Sequence, residues 1–381
     1  MLSVRTFLGL LLALCLAWFL WTLTGYPDAM PPSADPHATV VESIGSNTGK
    51  GNMLAVQPWL TARDYANADT LERKLATYLQ LAQDKGWLHG GKTVVVWPEY
   101  TGTWLVAANE KQAALEAPGI VSALTTVALT HLPAYAFRLL TAPAVAAKDR
   151  WALFTLKSRS MAADYETVFG NLSRRFGVYM VAGSTVLPSP TLVKGHLVVQ
   201  PGQPLVAMSA VFAPDGRIQA PLVLKSFPIA DELDFAIPAR SAQAPLFVTD
   251  AGKLAVLICA DAWYPASYDL LRGAGATLMA VPSFSAGNGA WSVPWAGYNG
   301  APNAADVDTR DIGTLTEAQA WHKYAMQARA PAIGVHTAAN VFLRGQLWDL
   351  GSDGGTLTLQ RGQPHAAPVV ATSAMTNLWI H

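Results

Sequence analysis

Three residues of chemically useful type, Glu99, Lys225 and Cys259, stand at or just beyond the ends of apolar runs. Glu99 follows Val94-Val-Val-Trp-Pro, Lys225 follows Leu222-Val-Leu, and Cys259 follows Ala255-Val-Leu-Ile. A thiol becomes a nucleophile only beside a base or a positive field. A carboxylate can be that base, and an ammonium can stabilise the oxyanion that forms on attack. Together the three types can attack an amide or nitrile carbon and form a thioester. Alone, a cysteine after an apolar strand is ordinarily a buried core residue. The two partners in matching contexts turn the reading toward chemistry.

Such groups need a rigid scaffold that leaves them open to a crevice, which the ends of strands in a layered sheet provide. Strand-like runs lie at Leu54-Ala-Val-Gln-Pro, Thr93 to Trp97, Val178 to Ala182, Val206 to Phe212, Leu254 to Ile258, Thr277 to Val281 and Ala332 to His336. Helical patterns run from Asp69 to about Lys85, with apolar Leu71, Leu75 and Leu79, and over 157–176 and 315–330. This alternation predicts an α/β layered fold with one core. Trp97 belongs to that core, and Asp261 is expected to cap the helix after Cys259, since Asp is a favoured N-cap.

At these residues the sequence resembles the nitrilase, or carbon–nitrogen hydrolase, superfamily. The matching stretches are Val95-Val-Trp-Pro-Glu99, Leu224-Lys225-Ser-Phe-Pro, Val256-Leu-Ile-Cys259-Ala-Asp261-Ala-Trp-Tyr-Pro265, Gly273 to Ser283, and Trp321-His-Lys-Tyr-Ala-Met-Gln-Ala-Arg329-Ala. Order, spacing and context agree over about residues 52 to 360. The resemblance implies an αββα sandwich and a catalytic triad in which Glu99 is the general base, Lys225 the oxyanion stabiliser and Cys259 the nucleophile. It further implies that Glu232 is a second glutamate beside the triad and that the Ala260 N–H completes the oxyanion hole. Read without it, Glu232 is equally a solvated loop acid beside Asp231 and Asp234. Two departures weaken any transfer of substrate identity. Ala260 stands where an aromatic is common, and Ala266 where a glutamate often follows the proline.

Water as acceptor of the thioester makes an amidase or nitrilase; an amine makes an N-acyltransferase. The apolipoprotein N-acyltransferases share the Trp-Pro-Glu wording, but they carry a multi-helix membrane portion, and their Pro-Phe-Gly-Glu is Ile229-Ala-Asp-Glu232 here. Hydrolysis of an amide is therefore the expected reaction, with acyl transfer the alternative and an inert tethered scaffold a third. The chemistry calls for a small-molecule amide or acyl substrate and for no cofactor or metal.

Charged residues make up 14% of the 381-residue chain, and Lys+Arg equal Asp+Glu at 26 each. That balance speaks against a nucleic-acid partner, which needs an excess of basic charge. Residues 6 to 27 carry no charge and are long enough, at about 1.5 Å per residue, to cross a hydrocarbon core of about 30 Å. Residues 1–26 are read as an uncleaved membrane anchor, a signal peptide being the alternative. Arg5 precedes the run, whereas Asp28, Asp35 and Glu42 follow it, so the rest of the chain is expected to face outward, to a periplasm or its equivalent. Residues 27–51, rich in Pro and Gly, are read as a tether, and 52–381 as the catalytic domain. The sequence does not give the oligomeric state.

From Ala117 to Ala147 Arg138 is the one charge, and Pro133 and Pro143 interrupt the run. The pieces are too short to span a bilayer. They are either buried helices or an apolar lid that dips toward the membrane. Other motifs fail. Gly45-Ser-Asn-Thr-Gly-Lys-Gly has the wrong spacing for a phosphate loop, no His-Glu-x-x-His supports a zinc hydrolase, and no Gly-x-Ser-x-Gly supports a serine one. Two cysteines, Cys15 and Cys259, make no disulfide framework.

Overall fold

Along residues 52–57, Met53 and Ala55 pack into one apolar cluster while Leu54 and Val56 pack into another. The same alternation recurs at 93–97, where Val94 and Val96 face the first cluster and Val95 and Trp97 the second. Residues 278–281 repeat it with a third cluster on the far side, Leu278 and Ala280 against Met279 and Val281. Side chains in a strand alternate between faces, so these patterns define two sheets packed on each other, each covered outside by helices. This computed structural model describes residues 4–239 and 244–381.

The strands in the first half are β1 (Val40–Ile44), β2 (Asn52–Gln57), β3 (Trp59–Thr61), β4 (Thr93–Trp97), β5 (Tyr179–Ala182), β6 (Thr185–Pro188), β7 (Thr191–Val193), β8 (His196–Val198), β9 (Leu205–Phe212) and β10 (Ile218–Leu224). There follow β11 (Leu246–Thr249), β12 (Gly252–Val256), β13 (Leu278–Ser283), β14 (Thr337–Phe342), β15 (Arg344–Gln346), β16 (Leu357–Gln360), β17 (Gln363–Ala366) and β18 (Ala374–Trp379). One sheet has eight strands in the order β1-β18-β2-β4-β5-β9-β10, with β6 also on β9; the other has six, β11-β12-β13-β14-β16-β17.

The α-helices are α1 (Val4–Thr22), α2 (Ala68–Asp84), α3 (Gln112–Leu115), α4 (Ile120–Thr130), α5 (Leu132–Leu140), α6 (Lys148–Phe176), α7 (Ala230–Leu233), α8 (Pro265–Asp269), α9 (Glu317–Tyr324) and α10 (Met326–Arg329). In α2 the Asn67 side chain accepts the Thr70 N–H at 2.8 Å, and Leu71, Leu75 and Leu79 form one buried stripe. With α6 that stripe covers the outer face of the eight-stranded sheet; Tyr268 of α8 and Met326 of α10 cover the six-stranded one.

Several sequence expectations are corrected here. Helix α6 begins at Lys148 instead of 157, because Trp151, Leu153 and Phe154 add buried surface that outweighs the charged start. The strand expected at 332–336 lies at 337–342: Pro331 opens a 3-10 turn that Gly334 closes at φ +91°, and pairing with β13 starts only after it. The 315–330 helix is broken at Ala325 into α9 and α10.

Residues 27–51 are non-helical as expected, but they are docked instead of forming a free spacer. β1 pairs in parallel with β18 from Val40 opposite Ala374 to Ile44 opposite Leu378. Met30 is buried, and Asp35 lies 2.5 Å from the buried Lys74 ammonium and accepts the Tyr78 hydroxyl at 2.9 Å. The domain therefore extends N-terminal to residue 52. The apolar helix α1 has none of its residues buried and is long enough to span a bilayer.

Candidate active site

β4 ends at Trp97, and Glu99 stands two residues beyond it. Lys225 directly follows β10, and Cys259 lies three residues after β12. All three are buried, together with Glu232 of α7. The Lys225 ammonium sits between two carboxylates, 2.7 Å from Glu99 Oε1 and 2.6 Å from Glu232 Oε2. Glu232 is thus no solvated loop acid. Its other oxygen accepts the Tyr100 hydroxyl at 2.7 Å, and the Ile229 N–H donates to Oε2 at 2.9 Å. Cys259 adopts φ +46°, a left-handed conformation uncommon outside glycine, where the strand turns into the short 3-10 segment Cys259–Trp263. Its thiol donates to the Phe284 carbonyl oxygen at 3.8 Å, and it lines the same cavity as Glu99 and Lys225. Ala260 follows in the same buried turn.

Asp261 corrects another expectation. It caps no helix; Tyr264 precedes α8 in that position. Its Oδ1 accepts the Ser226 and Phe227 N–H groups at 3.0 and 2.8 Å, tying the turn that carries Cys259 to the segment that follows Lys225. A carboxylate two residues after the thiol was visible in the sequence, but its backbone partners come from a distant loop. Tyr100 and Phe284, whose rings lie 5.4 Å apart beside the site, were also not anticipated.

The electrostatics follow from burial. Glu99 is pushed up to about 7, first by burial and next, against the lowering effect of Lys225, by the negative charge of Glu232. Burial alone would lower Lys225, but Glu232, Glu99 and Cys259 outweigh it and hold the ammonium well above its ordinary range. Burial and then the Glu99 charge push the Cys259 thiol up, with Lys225 opposing. The thiol is neutral, Glu99 exchanges its proton near pH 7, and a fixed cation lies beside both.

A cavity of about 670 Å³ reaches this cluster. Glu99, Lys225, Glu232 and Cys259 line it together with mostly apolar side chains, many of them from α4 and α5. Those helices meet at an angle of 104° around His131. No residue of α5 is buried, and α4 buries only Ala123, Val127, Ala128 and Thr130. Of the two readings of 117–147, buried helices do not describe α5, none of whose residues is buried.

No family model and no curated protein sequence matches the chain. Among solved structures, it is similar to a cysteine-to-serine variant of the Nesterenkonia AN1 amidase from the nitrilase superfamily. The TM-score is 0.50 at 15% identity, over 87% of this chain and 92% of that one. A cysteine-to-alanine variant of the same amidase gives 0.50 at 15%, over 91% and 92%. The likeness establishes the fold: two packed sheets between helical layers, as in the nitrilase superfamily.

Proposed function

We propose that this chain of nitrilase-superfamily fold is a thiol-dependent carbon–nitrogen hydrolase of amidase type, with Glu99, Lys225 and Cys259 as its catalytic residues. The observation that carries the reading is the buried Lys225 ammonium held between Glu99 and Glu232 beside the Cys259 thiol. A merely structural cluster has no need of a strained cysteine at the end of a cavity.

The steps follow from the charges. Glu99 takes the thiol proton as Sγ attacks the amide carbon, and the carbonyl oxygen becomes an oxyanion beside the Ala260 N–H and Lys225 Nζ. Collapse breaks the C–N bond, and Glu99 returns the proton to the departing amine. The thioester then takes water: Glu99 accepts one proton, the hydroxyl joins the acyl carbon, and the acid leaves as the thiol is regenerated. Glu232 acts through Lys225 as a positioning residue, holding the ammonium where the oxyanion forms.

A second reading has an observation in its favour. The cavity is walled by apolar side chains, which suit a long acyl group, and an amine in place of water would make the enzyme an N-acyltransferase. In either case α1 anchors the protein in a membrane with the domain on the outer face, a reading supported by the uncharged run 6–27, by the absence of buried residues in α1 and by the charges on either side of that run. The test is the mass of the Cys259 adduct after purified protein meets a cell extract. An acyl increment on the Cys259 peptide, released by water or transferred to an amine, supports the reading and chooses between its forms. An unmodified Cys259 with no turnover of any amide overturns it.

A further inference from the structure

The α4–α5 lid is an unusual cover for a polar reaction. Phe137, Leu139 and Leu140 are exposed by 60, 37 and 87%, while Leu124, Ala128 and Leu129 of the same lid line the cavity that reaches Cys259. One pair of helices therefore presents apolar side chains both outward and inward. Contiguous exposed apolar surface marks an interaction site. What it faces is fixed by the anchor. The Trp18 indole N–H of α1 donates to the Leu129 carbonyl at 2.9 Å, next to the α4–α5 elbow. Beyond α1, the Lys111 ammonium bonds to the Trp21 carbonyl, and Gln112 N–H donates to the Gly25 carbonyl at 2.8 Å, so the anchor leaves the domain at a set place. Trp18 lies four residues before the end of α1 at Thr22. At about 1.5 Å per residue the elbow is about 6 Å below the outer end of the anchor. Interfacial amphipathic helices settle at about 5–10 Å, the headgroup and acyl boundary.

Volume points the same way. At about 30 Å³ for each water-sized group, the 670 Å³ cavity holds roughly twenty such groups. A short amide leaves most of that space empty, and its walls offer hydrocarbon to hydrocarbon.

We infer that the substrate is a membrane-resident amide with a long acyl chain, and that the chain passes from the bilayer between α4 and α5 into the cavity that ends at Cys259. This rests on the hydrolase reading and on the anchor; it adds the substrate class and the route. The outer lid side chains sit among lipid, and the inner ones line the acyl channel.

The test uses the full chain in phosphatidylcholine vesicles and two alkylating probes, iodoacetamide and N-tetradecyl iodoacetamide, with rates read by mass spectrometry on the peptide that carries Cys259. The tetradecyl probe should react at least tenfold faster. Leu124→Trp, which fills the channel, should bring the ratio close to one. Phe137→Asp with Leu140→Asp, which charges the outer face, should reduce it at least fivefold. Thermal midpoints verify that both variants are folded. Equal rates in the unaltered protein, or an advantage that survives in both variants, overturn the inference and leave the hydrolase reading standing. If neither probe reaches Cys259, the nucleophile assignment falls, and this inference with it.

Discussion

Lys225 is the residue on which the proposed chemistry turns, since it is both the cation that the oxyanion would meet and the counter-ion shared by two buried carboxylates. The proposed roles give different outcomes for three substitutions. Cys259→Ala and Glu99→Gln should each abolish turnover with the fold intact; measurable activity in purified Cys259→Ala would sink the covalent mechanism. Lys225→Met should also abolish it, since loss of one oxyanion donor commonly costs about 3–4 kcal/mol in the transition state. This variant should in addition lose stability, because removing one partner of a buried ion pair costs about 3–5 kcal/mol. Protonation of Glu99 would recover part of that. A denaturation midpoint unchanged from the parent would mean that the ammonium is not paired as described.

The pH profile belongs to the same scale. Glu99 must be ionised to take the thiol proton, and burial raises it to about 7. Activity per enzyme, as kcat/KM on an amide, should therefore rise with pH through about 7 and fall below it. Because Lys225 and the thiol are both displaced upward, the plateau should continue into the alkaline range. A profile flat from pH 5 to 8 would remove Glu99 from the role of base. The candidate cluster was legible in part because residue type and strand-end context are local: Glu99, Lys225 and Cys259 come together, joined by Glu232, which the resemblance alone singles out. Asp261 was misread because its partners, Ser226 and Phe227, are distant in sequence, and no local pattern encodes them.

At the scale of elements, legibility follows periodicity. The buried runs at 93–97 and 254–258 and the leucine stripe of α2 announce themselves, because one face or two faces of each must be apolar. β1 does not. None of its residues is buried at the edge of the sheet, and what places it there is its pairing with β18 at the other end of the chain. The Pro and Gly around it say only that no helix forms. The docking of residues 27–51 makes a prediction that a free tether would not. Asp35→Ala should strand the Lys74 ammonium, which is 3% exposed, and release the Tyr78 hydroxyl. A loss of about 2–3 kcal/mol is expected from a broken, largely buried pair. That should appear as a fall of about 3–4 °C in the thermal midpoint, with amide turnover at low temperature preserved. No change in the midpoint would mean that the segment is loosely held.

For the whole molecule, the anchor and the lid are consistent with one orientation. The single Arg5 in the first turn of α1, ahead of the uncharged run 6–27, and the acids after that run favour an outward-facing domain. The contact from Trp18 to Leu129 brings the apolar lid to the same side as the end of the anchor. If the domain instead faced the cytoplasm, the charge asymmetry would be reversed relative to the rule that governs insertion. A reporter that works only outside the cytoplasm, fused after His381, should therefore be active, and the full-length protein should stay in the membrane fraction through a carbonate wash. Release of a shortened soluble form would mean that residues 1 to about 26 are removed as a signal. The contacts of Trp18 and Trp21 with the domain would then be lost, along with the fixed depth of the lid. An inactive reporter on an intact, membrane-bound chain would place the cavity on the inner leaflet. The candidate active site would be unchanged by that outcome, but its amide would have to come from the cytoplasmic side.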